Sequence, residues 1–245
     1  MMKITVWILV LLMITGIFYP CGRVWWHPQY LKVLGQRTVS DVIEQFGPQA
    51  EQRLKPHFAA AGVAYPPERV SLLAFKDRDL LEVWAHQGSQ STLVRSYRIQ
   101  AASGVPGPKL REGDFQVPEG IYQIIAFNPN SAYHLSMKLN YPNAFDWQQA
   151  RAEGREQPGS DIFIHGKAVS VGCLAMGDSV IEELFSLVYA VGRMHVEVVI
   201  APHDPVIRAL SVPAGSPPWV SDLYSQITSA IEHIRQPPMQ IDQVE

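Results

Sequence analysis

The chain has 245 residues, with 20 Lys and Arg against 23 Asp and Glu, 47% apolar residues and 18% charged ones, a composition that describes a folded globular protein able to bury a core without disulfide staples. A net charge of -3 without any run of five or six like charges excludes a nucleic-acid or polybasic membrane-surface partner, because counterion release needs clustered Lys and Arg. Only two cysteines occur, Cys21 and Cys173, which excludes a disulfide scaffold and every four-cysteine zinc site.

The stretch from Ile4 to Tyr19 is apolar except for Thr5, Thr15 and Gly16, and no charge falls between Lys3 and Arg23. It predicts a signal anchor or signal peptide over residues 1–22, in contact with a membrane through residues 4–19, with Trp25, Trp26 and Tyr30 suited to the interface. No small-x-small site precedes Arg23, which favours an uncleaved anchor. Pro20 stands before Cys21 where a lipoprotein signal wants a small residue, so Cys21 reads as passive. The alternative is a buried N-terminal helix.

Residues 23–67 read as a helical N-terminal extension. Its main element is a helix from Thr38 to Ala61, or two short helices broken at Gly47-Pro48, with Ser40 and Asp41 as start signals and Val42, Ile43, Phe46, Leu54 and Phe58 as apolar positions. A main domain follows over residues 68–202. Three β-like runs, Val70–Phe75, Leu80–His86 and Thr92–Ile99, form an expected meander. Gly104 to Pro118 is a Gly/Pro-punctuated loop, Ile121–Phe127 and His134–Leu139 are further strands, and Tyr141 to Gly159 is turn-rich. Asp161–His165 is a short strand. Ser179-Val180-Ile181-Glu182 fits a capping box opening a helix through Val191, and Val196–Ala201 is another strand. Residues 203–245 hold a proline-rich segment and an amphipathic helix from Trp219 to Ile234. Strands and helices do not alternate regularly, so the fold class is α+β with a largely antiparallel or mixed sheet.

The chemistry concentrates in Asp161-Ile-Phe-Ile-His165-Gly166-Lys-Ala-Val-Ser170-Val-Gly172-Cys173. In a strand, Asp161, Phe163 and His165 share one face, and a turn over Gly166 to Val169 would bring Ser170–Cys173 back alongside the imidazole. A free thiol is only a few per cent thiolate at neutral pH, and a neighbouring imidazole accepts its proton or, once charged, stabilises the thiolate. Gly172 permits close backbone approach, making the amides of Gly172 and Cys173 candidates for an oxyanion. A Cys-His acyl transferase or hydrolase follows. The plain alternative makes Cys173 a small core residue and His165 an ordinary strand-end histidine. Eight histidines lie without HExxH spacing, so no metal and no cofactor is expected. Arg98, Lys109, Arg111 and Lys138 could meet substrate carboxylates or form a solvated face, and the loop Ser103 to Lys109 could touch substrate.

His165-Gly166 followed by Ser170-Val171-Gly172-Cys173 resembles the HG…SxGC signature of the L,D-transpeptidase catalytic domain, the YkuD-like family. The short spacing, the continuation Leu174-Ala175-Met176 and the upstream Tyr141-Pro142-Asn143-Ala144-Phe145-Asp146 are similar to its YafK-like branch. The resemblance covers roughly Val70 to Pro202. It implies a β-rich catalytic domain of mixed sheets, location in the periplasm or cell envelope, and acyl transfer on peptidoglycan stem peptides, with an envelope lipoprotein as a further partner. Cys173 would be the nucleophile, His165 the proton acceptor and donor, and Gly172, Ser170 and Gly166 the oxyanion and substrate-binding residues. Val171 stands where many members carry His, Ala175 where many carry Arg, and Lys167-Ala168-Val169 where the main family has a longer insertion. A hydrolytic amidase or carboxypeptidase using the same pair, and a non-catalytic peptidoglycan-binding protein, are the alternatives.

Overall fold

The computed structural model describes residues 22–236. The expected membrane segment at residues 4–19 and Cys21 lie outside the described residues. Among the described residues no helix is long and apolar enough to cross a membrane.

Two helices precede the sheet, α1 (Arg23–Leu34) and α2 (Val39–Ala60). Thr38 caps α2: its hydroxyl accepts the Asp41 N–H at 3.1 Å and the Asp41 carboxylate accepts the Thr38 N–H at 2.7 Å. The reciprocal box satisfies two otherwise orphaned donors. No break occurs at Gly47-Pro48, and α2 runs through Pro48 and Pro56 as one helix. Its Ala50, Leu54 and Phe58 recur every fourth residue on a buried face, and this packing outweighs the hydrogen bond that each proline omits.

The strands are β1 (Arg69–Phe75), β2 (Leu80–Gln87), β3 (Gln90–Arg98), β4 (Gly120–Asn128), β5 (Ser136–Leu139), β6 (Phe163–His165), β7 (Leu174–Ala175) and β8 (Val196–Ala201). They form one mixed sheet in the order β3-β2-β1-β8-β4-β5-β6-β7. Among the described residues only β1–β8 and β6–β7 pair in parallel. The first three strands are the expected meander. The sheet curls until its ends meet, because Ala101, just past β3, bridges Ala175 of β7. Closure of this kind removes the exposed edge that β7 would otherwise present.

Period-2 alternation divides the core. Val70, Leu72 and Ala74 of β1 and Val196, Val198 and Ile200 of β8 face one cluster, shared with Leu54 and Phe58 of α2 and with Ile181, Leu184, Phe185 and Val188 of α4 (Asp178–Val191). Leu73 and Phe75 of β1 and Val199 and Ala201 of β8 face the other, covered by Leu223, Tyr224, Ile227, Ile231 and Ile234 of α5 (Val220–Arg235). A sheet centre covered on both sides must be apolar on both faces, which explains the near-continuous hydrophobic runs in β1 and β8.

Two local expectations are corrected. The turn-rich stretch before Gly159 contains α3 (Ala144–Ala152), opened by a reciprocal cap between Asn143 and Asp146; it buries only Ala150, so it lacks the apolar stripe that would reveal it. At α4 the Ser179 capping box does not form. Gly177 occupies the cap position without a side-chain bond, and Asp178 is turned to the Lys167 ammonium and amide.

The loop between β3 and β4 is held from inside. Lys76 Nζ meets the Glu119 carboxylate at 3.0 Å and also donates to the carbonyls of Val105 and Val117. The same carboxylate accepts the Gly107 N–H and the Tyr224 hydroxyl, each at 2.8 Å. Glu119 is completely buried and Lys76 nearly so, and burial holds the Lys76 ammonium below its ordinary pKa even with Glu119 beside it. Removing one partner of such a pair leaves a buried charge uncompensated. Glu119→Ala is therefore expected to lose about 3–5 kcal/mol of unfolding free energy in urea titration. Lys76→Met combined with Glu119→Leu should recover most of that loss.

Candidate active site

Strand β6 pairs antiparallel with β5, His165 lying opposite Ser136. Ile164 points into the core, so Phe163 and His165 point to the other face. The chain then turns sharply. A Cβ at Gly166 would come within 2.6 Å of the Tyr133 carbonyl oxygen and 2.8 Å of an Asp178 carboxylate oxygen, so only glycine fits. Lys167 adopts a positive φ of 60°, secured by the hydrogen bond its backbone N–H donates to the Asp178 carboxylate at 2.9 Å.

After eight residues the chain returns as β7, parallel to β6 rather than as the second arm of a hairpin, with Ile164 opposite Leu174 and His165 opposite Ala175. Parallel neighbours normally need a longer crossover, and two residues of β7 suffice here because Gln100 and Ala101 bond its far edge. One step back along this register places Cys173 beside Phe163. Alternation then puts Cys173 and His165 on the same face of adjoining strands, opposite Ile164 and Leu174.

His165 is only 3% exposed, with the Tyr133 ring 4.7 Å from its own between centroids. Its Nδ1 lies 2.6 Å from the Gly166 carbonyl oxygen. A carbonyl can only accept, so Nδ1 carries the proton and Nε2 of the neutral ring keeps its lone pair. Burial lowers the imidazole pKa, opposed by the Gly166 hydrogen bond. The Cys173 thiol is partly exposed and lies 3.8 Å from the Asp161 carbonyl. Burial pushes its pKa up, and Asp161 adds to this; the Phe163 N–H and the Lys109 charge pull the other way. No hydrogen bond joins thiol and imidazole among the described residues. The two shifts favour a neutral thiol beside a neutral imidazole over an ion pair.

The expected accessory residues have defined places. Gly166 supplies the carbonyl that sets the His165 tautomer. Ser170 Oγ accepts the Cys173 N–H at 3.0 Å and donates to the Cys173 carbonyl at 2.5 Å, bracing the turn. Gly172 has φ of 96° and donates its N–H to Ser103 Oγ at 2.6 Å. Both amides considered for an oxyanion thus donate to serine hydroxyls. Asp161 turns its carboxylate to Lys138 at 2.6 Å and not to His165. Lys109 is buried and paired with Asp114 at 2.5 Å, so it forms no solvated face. Val171 is 63% exposed, whereas Ala175 is fully buried against Ala101.

Sequence reasoning missed Tyr133 and the hydroxyl of Ser103. Tyr133 sits in an irregular turn with no periodic signal. Ser103 opens the loop singled out as a substrate contact, but only the curled sheet brings it to Gly172, 69 positions on.

Residues 71–207 match the YkuD L,D-transpeptidase catalytic domain, more than half of the chain, which belongs to that family. Over 121 residues the chain is 40% identical to the Escherichia coli (strain K12) protein named "Putative L,D-transpeptidase YafK", a stretch covering 49% of this chain and 47% of the relative. The chain therefore spans about half the length of the curated relatives it matches. Among solved structures, the helical cell shape determining protein Pgp2 from Campylobacter jejuni is similar at 22% identity and TM-score 0.47, over 57% of this chain and 50% of that one. Bd1075 of Bdellovibrio bacteriovorus is similar at 21% identity and TM-score 0.42, over 68% and 56% respectively.

The pKa directions give a pH signature. A lowered imidazole pKa keeps Nε2 available to more acidic pH, and a raised thiol pKa keeps sulfur protonated to more alkaline pH. Alkylation of Cys173 by iodoacetamide, which reads thiolate alone, should still be climbing above pH ~8.5. A plateau already reached at neutral pH would reveal a thiolate–imidazolium pair instead.

Proposed function

We propose that this protein is a cell-envelope peptidoglycan L,D-transpeptidase that works through a thioester on Cys173. The observation that carries the reading is an imidazole with its Nε2 lone pair free, held by Gly166 on the same face of adjoining strands as the cysteine. Family membership supplies the substrate class, peptidoglycan stem peptides. The apolar stretch at residues 4–19 supports export to the periplasm or anchoring at the inner membrane.

In this mechanism Cys173 Sγ attacks the carbonyl carbon of the third stem-peptide residue as His165 Nε2 takes the thiol proton. The tetrahedral intermediate collapses: the C–N bond breaks, the leaving amine takes the proton back from His165, and a thioester remains. An incoming amine then attacks the thioester, forming a new amide and restoring the thiol. An amine on another stem gives a cross-link, one on an envelope lipoprotein gives protein attachment, and water gives hydrolysis. The neutral resting pair makes His165 a general base, with the thiolate formed only during attack.

Intact-mass measurement after incubation with defined tetrapeptide muropeptides, or with a carbapenem as acylating mimic, tests the reading. The wild type should gain one adduct, Cys173→Ala none, and His165→Ala should acylate ~10²–10⁴-fold more slowly. Muropeptide binding without any adduct on the wild type would overturn the enzyme and leave a peptidoglycan-binding protein.

A further inference from the structure

Three groups close around the turn through Gly172 and Cys173, and they come from different parts of the chain. Ser170 Oγ takes the Cys173 N–H and gives its own proton to the Cys173 carbonyl, a bond wholly inside the turn. Ser103 Oγ takes the Gly172 N–H at 2.6 Å from outside it. The Gln116 carbonyl would stand 3.4 Å from a Cβ at Gly172, so the peptide backs onto a second segment of the same loop. Behind Ser103, Gln100 N–H and Ala101 N–H both donate to the Ala175 carbonyl, the Ala175 N–H donates to the Ala101 carbonyl, and Val117 N–H donates to the Ser103 carbonyl. Residues 100–103 thus run along the cysteine turn as an added edge of β7.

We infer that Ser103 is a positioning residue for Cys173, fixing the Gly172 peptide plane so that the thiol stays aligned with His165. The inference rests on the reading of Cys173 as nucleophile. Gly172 is buried, and its positive φ is one that glycine adopts at no steric cost, so the peptide is held in place by its contacts and not by the residue itself. Because the residue is buried, loss of the Ser103 hydroxyl leaves its N–H unmet and the peptide free to rotate toward another partner. Rotation about that plane swings the Cα–Cβ bond of Cys173, the next residue. Ser170 braces the turn across Gly172 through the Cys173 N–H and carbonyl but makes no bond to the Gly172 N–H, which Ser103 alone accepts among the hydrogen bonds of the described residues. Sγ would leave its place over the Asp161 carbonyl and the Phe163 N–H, becoming more accessible and less well aimed.

That picture predicts opposite responses in two reactions of one sulfur. In Ser103→Ala, acylation by a carbapenem at saturation should slow ~10- to 100-fold, as a displacement of about 1 Å does elsewhere, with the apparent dissociation constant changed less than about twofold. Alkylation of Cys173 by iodoacetamide should become faster in the same variant, with the melting temperature lowered only by the few degrees that one unmet buried donor costs. Ser103→Thr, which retains the hydroxyl, should restore most of the acylation rate. Wild-type acylation at Ser103→Ala, or a threonine variant as slow as the alanine one, would overturn the inference. So would parallel losses of acylation, alkylation and melting temperature, which mark general structural support. If the wild type itself is not acylated, the proposed function falls, and the alkylation contrast between wild type and Ser103→Ala still decides whether Ser103 holds the turn.

Discussion

The parallel register between β6 and β7 is the constraint on which the site depends. Two backbone pairs, Ile164 with Leu174 and His165 with Ala175, set which way the two side chains of the proposed mechanism face. A slip of one residue would send Cys173 into the core and Ile164 or Leu174 to the surface. The buried positions of Ile164 and Leu174 make that slip costly, so hydrophobic packing on one face enforces chemical alignment on the other.

So short a strand cannot hold its register alone. Ala101 closes the sheet onto the free edge of β7, Asp178 fixes the turn after His165 through Lys167, and Ser170 and Ser103 hold the two amides leading to the thiol. The loop that carries Ser103 is itself held by the buried Lys76–Glu119 pair and, through Tyr224, by α5. On the opposite side, Glu183 of α4 accepts from Arg53 of α2 at 2.6 Å and from the Tyr97 hydroxyl of β3 at 2.6 Å. Tyr224 thus ties α5 to the loop that carries Ser103, and Arg53 ties α2 to α4, whose Asp178 holds the turn after His165.

Much of this was legible from residues alone. The strands with strong alternation or continuous apolar runs, β1 to β4 and β8, lie within a few residues of their expected positions, and α2 and α5 follow their stripes. The His165–Cys173 spacing points to the segment on which the proposed mechanism rests. What sequence could not show is tertiary in origin: α3 has too few buried positions to declare itself, the direction of β7 depends on an edge supplied by Ala101, and the Gly172 partner lies in a distant loop. Short motifs single out the candidate residues, while their geometry is set by contacts far apart in the chain.

The neutral resting pair is the physical claim on which the catalytic reading turns, and the tautomer of His165 tests it most directly. Nitrogen-15 NMR of the ring in the intact protein at neutral pH should show Nδ1 protonated and Nε2 bare, as the Gly166 carbonyl requires. An imidazolium at that pH, or a proton resident on Nε2, would contradict it and remove His165 as the base that receives the Cys173 proton.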